Sequence, residues 1–346
     1  MPHRWDPIAP PVTGLVAPVR LDPTGRRGPT RAQARGPSWR FTAPGLVVPA
    51  GISDDVVEQR ILESYARSGA PAVVTGWAAL RLQGGGFFDG LAPDGRTRVR
   101  VPVAANGTRH RGDLGTAVAE DRVPEDEVVV LHGIRCARAE RALYDEMQRI
   151  GEVREMAVAV GAACAAQLTS VKRMRLYAAT RRWYRDVRLV KAAVEISVEG
   201  CRSPQEDRFR QVWELDAQWG RPLLNPTILD ARGRFVANPD LLDPGRGVVG
   251  EYAGAGHRDL DQHEADVDRE AAVRAVGLEY VEMVGRTLRD PARVVARMEQ
   301  AAARAVHLER RWQLAPRTVP TLDEVLDRRD RHRVVETPGM ADESPD

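Results

Sequence analysis

Ser203-Pro204-Gln205-Glu206, Asn238-Pro239-Asp240, Glu251-Tyr252-Ala253-Gly254 and His257-Arg258, followed by His263, Asp266, Arg269 and Glu270, are the segments on which the fold turns. Pro204–Trp219 is expected as a helix, with Ser203 as its cap and Pro204 in the first turn. Leu223–Leu229, Arg234–Asn238 and Gly247–Tyr252 are short, apolar and bounded by turn residues, as strands are. Leu260–Val276 has helical spacing and stops at Gly277, a C-cap residue. Leu278–Val284 reads as a further strand and Pro291–Arg311 as a closing helix. The order is α-β-β-β-α-β-α, and the fold class expected is α/β (α+β overall).

Outward from this core, the preceding residues are mainly helical. Ala137–Ile150, Val153–Ala166, Ser170–Trp183 and Val187–Val198 carry apolar residues at helical spacing. Before them come short β segments at Thr97–Val103, Ala117–Ala119 and Val128–Leu131. Asp54–Arg67 is a helix that Ser53 is expected to cap, and Val73–Leu82 is a second helix, opened near Thr75. Trp39–Thr42 and Leu46–Val48 flank Pro44-Gly45 as a hairpin. Pro29–Arg35 is one or two helical turns.

The domains expected are a basic arm (1–40), a mainly helical N-terminal region (41–200), a mixed α/β domain (201–312) and a loose charged tail (313–346). The arm holds seven arginines against Asp6 and Asp22, which suits a polyanion or a solvated terminus.

At 346 residues and 43% hydrophobic content the chain is long enough for two domains with cores. Of 51 basic residues only Lys172 and Lys191 are lysine; the other 49 are arginine. That bias reads first as GC-rich coding, yet arginine forks onto phosphate and carboxylate oxygens where lysine acts as a point charge. A net charge of +2 excludes a polycation. Cys136, Cys164 and Cys201 are far apart and form no CxxC pair, so reduced thiols in a cytoplasmic protein are expected. No apolar run approaches the ~20 residues of a membrane span.

The acidic residues carry the candidate chemistry. Magnesium takes hard oxygen ligands, and one or two carboxylates with water suffice. Asp240 and Glu251 are the candidate ligands for Mg²⁺ or Mn²⁺, because the turn Pro244-Gly245-Arg246 is placed to fold their strands side by side. Glu206 is either a first-turn carboxylate behind the Ser203 cap or a support for the metal site. His257, in a Gly-rich loop, is a candidate general acid or base or a phosphate donor. Arg258, His263 and Arg269 are candidate DNA phosphate contacts, with Asp266 and Glu270 supporting them. On the bland reading, the residues from His263 to Glu270 are a solvated ion-pair face.

Residues 203–300 resemble the PD-(D/E)XK nuclease superfamily, in the branch similar to very-short-patch-repair endonucleases. The matching elements are the Ser-Pro-x-Glu helix, Asp240, Glu251-Tyr252-Ala253-Gly254, His257 and Asp266-Val267-Asp268-Arg269. The resemblance implies a restriction-endonuclease-like core, magnesium-dependent phosphodiester hydrolysis and DNA as partner. Ala253 departs from it, since relatives carry an acid there and the wider superfamily a lysine. Residues 12–200 resemble the front of high-GC bacterial proteins that carry an AbiEi-antitoxin-like winged-helix region ahead of such a domain. Two readings stand beside the endonuclease: a non-catalytic DNA-binding regulator or antitoxin-like protein on the same scaffold, and a structural protein without a nucleic-acid role.

Overall fold

The computed structural model describes residues 6–10, 12–107, 112–113, 115–119, 121–181, 186–253, 260–285, 287–316 and 319–336, with the side chains of 260–267 and 333–336 outside that description. The chain divides into two compact units, residues 1–169 with 173–195, and residues 170–172 with 196–346. The break near 195 falls a few residues before the boundary expected at 200.

The first unit is mixed α/β. Its elements are β1 (Val19–Arg20), α1 (Arg31–Ala34), β2 (Trp39–Ala43), β3 (Leu46–Pro49), α2 (Val57–Ser68), β4 (Val73–Val74), α3 (Gly76–Leu82), β5 (Val101–Ala104), β6 (Thr116–Ala119), β7 (Val128–Leu131), β8 (Ile134–Ala137), α4 (Ala139–Ile150) and α5 (Val153–Ala165). Helices α6 (Val171–Thr180) and α7 (Val187–Ile196) follow and run across the boundaries of the units. Strands β1, β3 and β2 form one small sheet, and β6-β5-β4-β8-β7 form a second. The hairpin around Pro44-Gly45 forms as its turn residues require, with Phe41 opposite Val47. Within the stretch expected as an arm, Val19 pairs with Val47, and Thr30 caps the single turn of α1 through a capping box with Gln33. Among the described residues no second helix lies between α1 and β2.

Two local expectations change. Ser53 does not cap α2; its hydroxyl bonds Asp55, and the helix starts from Val56 without a side-chain cap. Val73–Leu82 is not one helix, because Val73 and Val74 pair with β5 and β8 before Thr75 opens α3.

The second unit runs α8 (Pro204–Gln211), β9 (Leu223–Leu224), β10 (Ile228–Asp230), β11 (Phe235–Ala237), β12 (Leu241–Asp243), β13 (Val248–Ala253), α9 (Leu260–Ala275), β14 (Glu279–Val284), α10 (Pro291–Ala305), β15 (Trp312–Leu314) and α11 (Leu322–Glu336). Its main sheet has the order β14-β13-β12-β9. Strands β12 and β13 form an antiparallel hairpin, whereas β13 and β14 are parallel and joined through α9, since parallel neighbours need a crossover. Helix α9 ends in a Schellman pattern: Gly277 takes φ 86°, and the amides of Gly277 and Leu278 bond the carbonyls of Arg274 and Val273.

Alternation along the strands separates two cores. Leu241, Val248, Val281 and Met283 pack with Phe209, Val212 and Trp213 of the first helical segment and with Val294 and Met298 of α10. Leu242, Val249 and Leu278 pack on the other face with Val273 and Val276 of α9 and with Trp312. The sheet is therefore covered by helices on both faces, and each fully buried large apolar side chain contributes on the order of 1.5–3 kcal/mol.

The expected helix Pro204–Trp219 is shorter, giving way to a π turn at Val212–Asp216. The expected strand Leu223–Leu229 divides between two sheets, because β10 pairs with β11 and β15. The tail is not loose throughout: β15 joins β10, and α11 covers Leu322–Glu336. No described helix is long and apolar enough to cross a membrane.

Candidate functional site

The turn between β12 and β13 is locally determined. Asp243 Oδ1 accepts the amides of Gly245 and Arg246 at 2.9 Å each, an Asx-type turn. The turn fixes the register Leu241–Gly250, Leu242–Val249 and Asp243–Val248. Extended by one position, this register puts Asp240 across from Glu251. The Tyr252 amide closes the pair by donating to Asp240 Oδ2 at 2.8 Å.

Glu206 comes to this pair from α8. Ser203 Oγ accepts the Glu206 amide at 3.2 Å, as an N-cap does. The Glu206 carboxylate is buried and accepts the Arg202 amide at 2.8 Å and Asn225 Nδ2 at 3.4 Å. The Asn225 amide in turn bonds the Asp240 carbonyl at 2.9 Å. Glu206 thus satisfies its helix start and also stands within the electrostatic reach of Asp240.

That proximity alters Asp240. Burial, first, and then the neighbouring Glu206 carboxylate push its pKa up to about 7. Glu251 adds to the rise, while the Tyr252 amide and Arg202 oppose it. Cys201, buried beside these groups, is held well above its ordinary value by burial and then by the charge of Asp207. Its thiol is therefore protonated at neutral pH and is not a nucleophile.

Glu251 Oε2 accepts the Tyr280 hydroxyl at 2.7 Å and Arg269 Nη1 at 3.3 Å. Burial and the Glu251 charge raise the Tyr280 phenol far above its usual range, so it stays a donor. Arg269, a candidate phosphate contact, therefore sits on a candidate metal ligand. Glu270 bonds Arg274 instead, at 2.9 Å. His257 and Arg258 lie outside the described residues. His263 and Asp266 lie on α9, but their side chains lie outside the described residues. Ala253 ends β13 opposite Val284, two residues from Glu251 and so on the same face.

Three contributors escape a reading of the sequence alone. Tyr280 pairs with Val249, a diagonal neighbour of Glu251, and only the parallel register reveals it. Asn225, with φ 47°, links Glu206 to Asp240. Asn238 clamps the Asn225 and Pro226 carbonyls at 2.8 Å each, which explains the asparagine in Asn238-Pro239-Asp240.

Among the described residues, no group of three or more His, Cys, Asp or Glu side chains is arranged to hold a metal ion. The strands bring together two carboxylates, Asp240 and Glu251, with Glu206 close by. An all-oxygen pair of this kind suits a hard divalent cation, and the burial and like charge that raise Asp240 are what such a cation would offset.

Comparison with family models, curated proteins and solved structures gives no match to this chain.

Proposed function

We propose that the second unit is a divalent-metal-dependent DNA endonuclease-like domain of the PD-(D/E)XK kind, with a restriction-endonuclease-like core. The observation that carries this reading is the Asp240–Glu251 pair on adjacent strands, with Glu206 pressing on it. The α-β-β-β-α-β order, taken through α8, β9, β12, β13, α9 and β14, agrees with it.

Asp240 and Glu251 would hold Mg²⁺ or Mn²⁺, which when bound neutralises phosphate charge and lowers the pKa of its water. The chain's own groups do the rest. The Tyr252 amide and the Tyr280 hydroxyl fix the two carboxylates, as outer-shell partners commonly do. Burial, and after it Glu206, raise the proton affinity of Asp240 and so make the pair's charge sensitive to pH near neutrality. Arg269 either screens Glu251 or turns to the DNA phosphates. The first unit, in the AbiEi-like winged-helix reading, supplies a nucleic-acid-binding surface.

A second reading is favoured by two observations: Ala253 offers no donor beside Glu251, and the Arg269 guanidinium already rests on Glu251. Both suit a non-catalytic DNA-binding regulator or antitoxin-like protein on this scaffold.

Incubation of supercoiled plasmid and of short single-stranded and duplex DNA with Mg²⁺, Mn²⁺ or chelator separates the two. The first reading predicts metal-dependent cutting that Asp240→Asn reduces at least a hundredfold while DNA affinity stays within about twofold, because a lost transition-state group acts on turnover. Binding without cutting on every substrate supports the second reading, and Ala253→Asp is then the variant in which activity would appear.

A further inference from the structure

Away from the carboxylate pair, the first unit contains a cavity of about 310 Å³ between β2, α2, the segment Arg98–Arg100 and the start of β6. Its lining includes five arginines, Arg40, Arg60, Arg67, Arg98 and Arg100, against two carboxylates, Asp54 and Glu63.

The ion pairs divide the arginines into two groups. Arg40 forks onto Glu63, with Nη1 and Nη2 at 3.1 and 2.6 Å from its oxygens. Arg98 is 3.1 Å from Asp54 and also pairs with Asp55, and Arg67 pairs with Asp113. Arg60 and Arg100 have no carboxylate in ion-pair range among the described residues. Arg60 Nη2 bonds the carbonyls of Asp89 and Gly90 at 3.1 and 3.2 Å, and its Nε is buried without a hydrogen-bond partner among the described residues. The guanidinium lies 5.1 Å from the centre of the Trp77 ring. Gly90 makes room for this placement, since a Cβ there would stand 2.3 Å from Arg60 Nη2 and from the Trp77 ring. Arg60 is therefore held in position by a ring, two carbonyls and a glycine.

Burial, and after it the charge of Arg98, disfavour the charged form of Arg60, while Asp89 and Asp54 favour it. Arg40, Arg67 and Arg98 are matched by carboxylates, so Arg60 and Arg100 are the lining cations that an anion would stabilise. Guanidinium forks match phosphate oxygens two at a time. Ser64 and Thr116 lie on the same walls. The volume lies at the small end of ligand pockets, which run from about 300 to 1,000 Å³.

We infer that this cavity binds a phosphate monoester of up to nucleotide size, with Arg60 and Arg100 as its anion-contacting residues. The ligand is either a free phosphorylated metabolite or the phosphorylated end of a nucleic-acid strand; the phosphate chemistry is shared. The site stands independently of the proposed nuclease activity.

Calorimetric titration of the full chain with inorganic phosphate, a nucleoside 5′-monophosphate, the parent nucleoside, and a short oligonucleotide with and without a 5′-phosphate tests the inference. The monophosphate is expected to bind and the nucleoside not to bind. Arg100→Glu, at an exposed side chain without an ion-pair partner among the described residues, should weaken binding at least tenfold with an unchanged melting temperature. Arg100→Lys should weaken it less, and Arg232→Glu on the second unit should leave it unchanged. A phosphorylated oligonucleotide binding more tightly than the monophosphate identifies a strand end as ligand; equal or weaker binding identifies the free compound. Absence of binding by every phosphorylated probe, or binding that Arg100→Glu and Arg232→Glu affect equally, overturns the inference.

Discussion

At the scale of single residues, Asp240 is where burial and like charge act together. Its pKa rises from 3.8 to about 7 in the folded chain. Between these values the unfolded chain has released the proton that the folded chain still holds, so metal-free stability falls as pH rises through that window. Asp240→Asn removes the penalty. It is expected to melt at least about 2 °C above the parent at pH 8, with the difference vanishing near pH 4, in a thermal denaturation series. A variant less stable than the parent at pH 8 would show that the carboxylate is not under strain. Glu206, Asp240 and Glu251 stand out in the sequence as acids in order; in the fold Glu206 lies in α8, Asp240 just before β12 and Glu251 within β13. Tyr280 does not stand out, because its role depends on the parallel register of β13 with β14, which no local pattern encodes. Asn225 was equally hidden, since its two bonds bridge segments brought together only by the fold.

At the scale of elements, β13 is the member on which both cores and the site depend. Gly250 lies close against α8 and the π turn that follows it: a Cβ there would stand 2.6 Å from Phe209 Cε1 and 3.1 Å from Trp213 Cζ3. Gly250→Ala should therefore cost about 1–3 kcal/mol, read as a lower urea midpoint with an unchanged slope, as overpacking does. An unchanged midpoint would mean that α8 yields without cost. The elements that the sequence announces are those with their own punctuation. The β12–β13 turn follows from Pro244-Gly245-Arg246, and α9 follows from its spacing and Gly277. Strand β12 was missed because three residues, Leu241-Leu242-Asp243, carry too little alternation. Strand β15 was missed because its partner β10 lies more than eighty residues earlier in the chain. Helix α8 ends early because its continuation takes π geometry, where Trp213 is buried against Phe209 and Trp219.

At the scale of the whole molecule, a net charge of +2 means that any attraction to DNA comes from local arrangement rather than from total charge. Affinity for duplex DNA should then fall at least tenfold between about 50 and 200 mM salt, because each neutralised phosphate releases counterions. Fluorescence anisotropy across that range measures the slope, and a flat profile would argue against a phosphate-binding surface. The division into two units falls a few residues before the change in character near residue 200, whereas the capture of residues 19–20 by β3 and of 312–314 by β10 has no signal in the local sequence. Short strands of two or three residues acquire their identity from their partners. The central claim is that Asp240 and Glu251 form a divalent-cation site. Titration of Mn²⁺ into the full chain at pH 8, beside Asp240→Asn and Glu251→Gln, tests it most directly. The account predicts one saturable site in the parent, at least tenfold weaker in either variant and weaker in the parent at pH 5.5, where Asp240 keeps its proton. No saturable site in the parent, or equal binding by parent and variants, would contradict it.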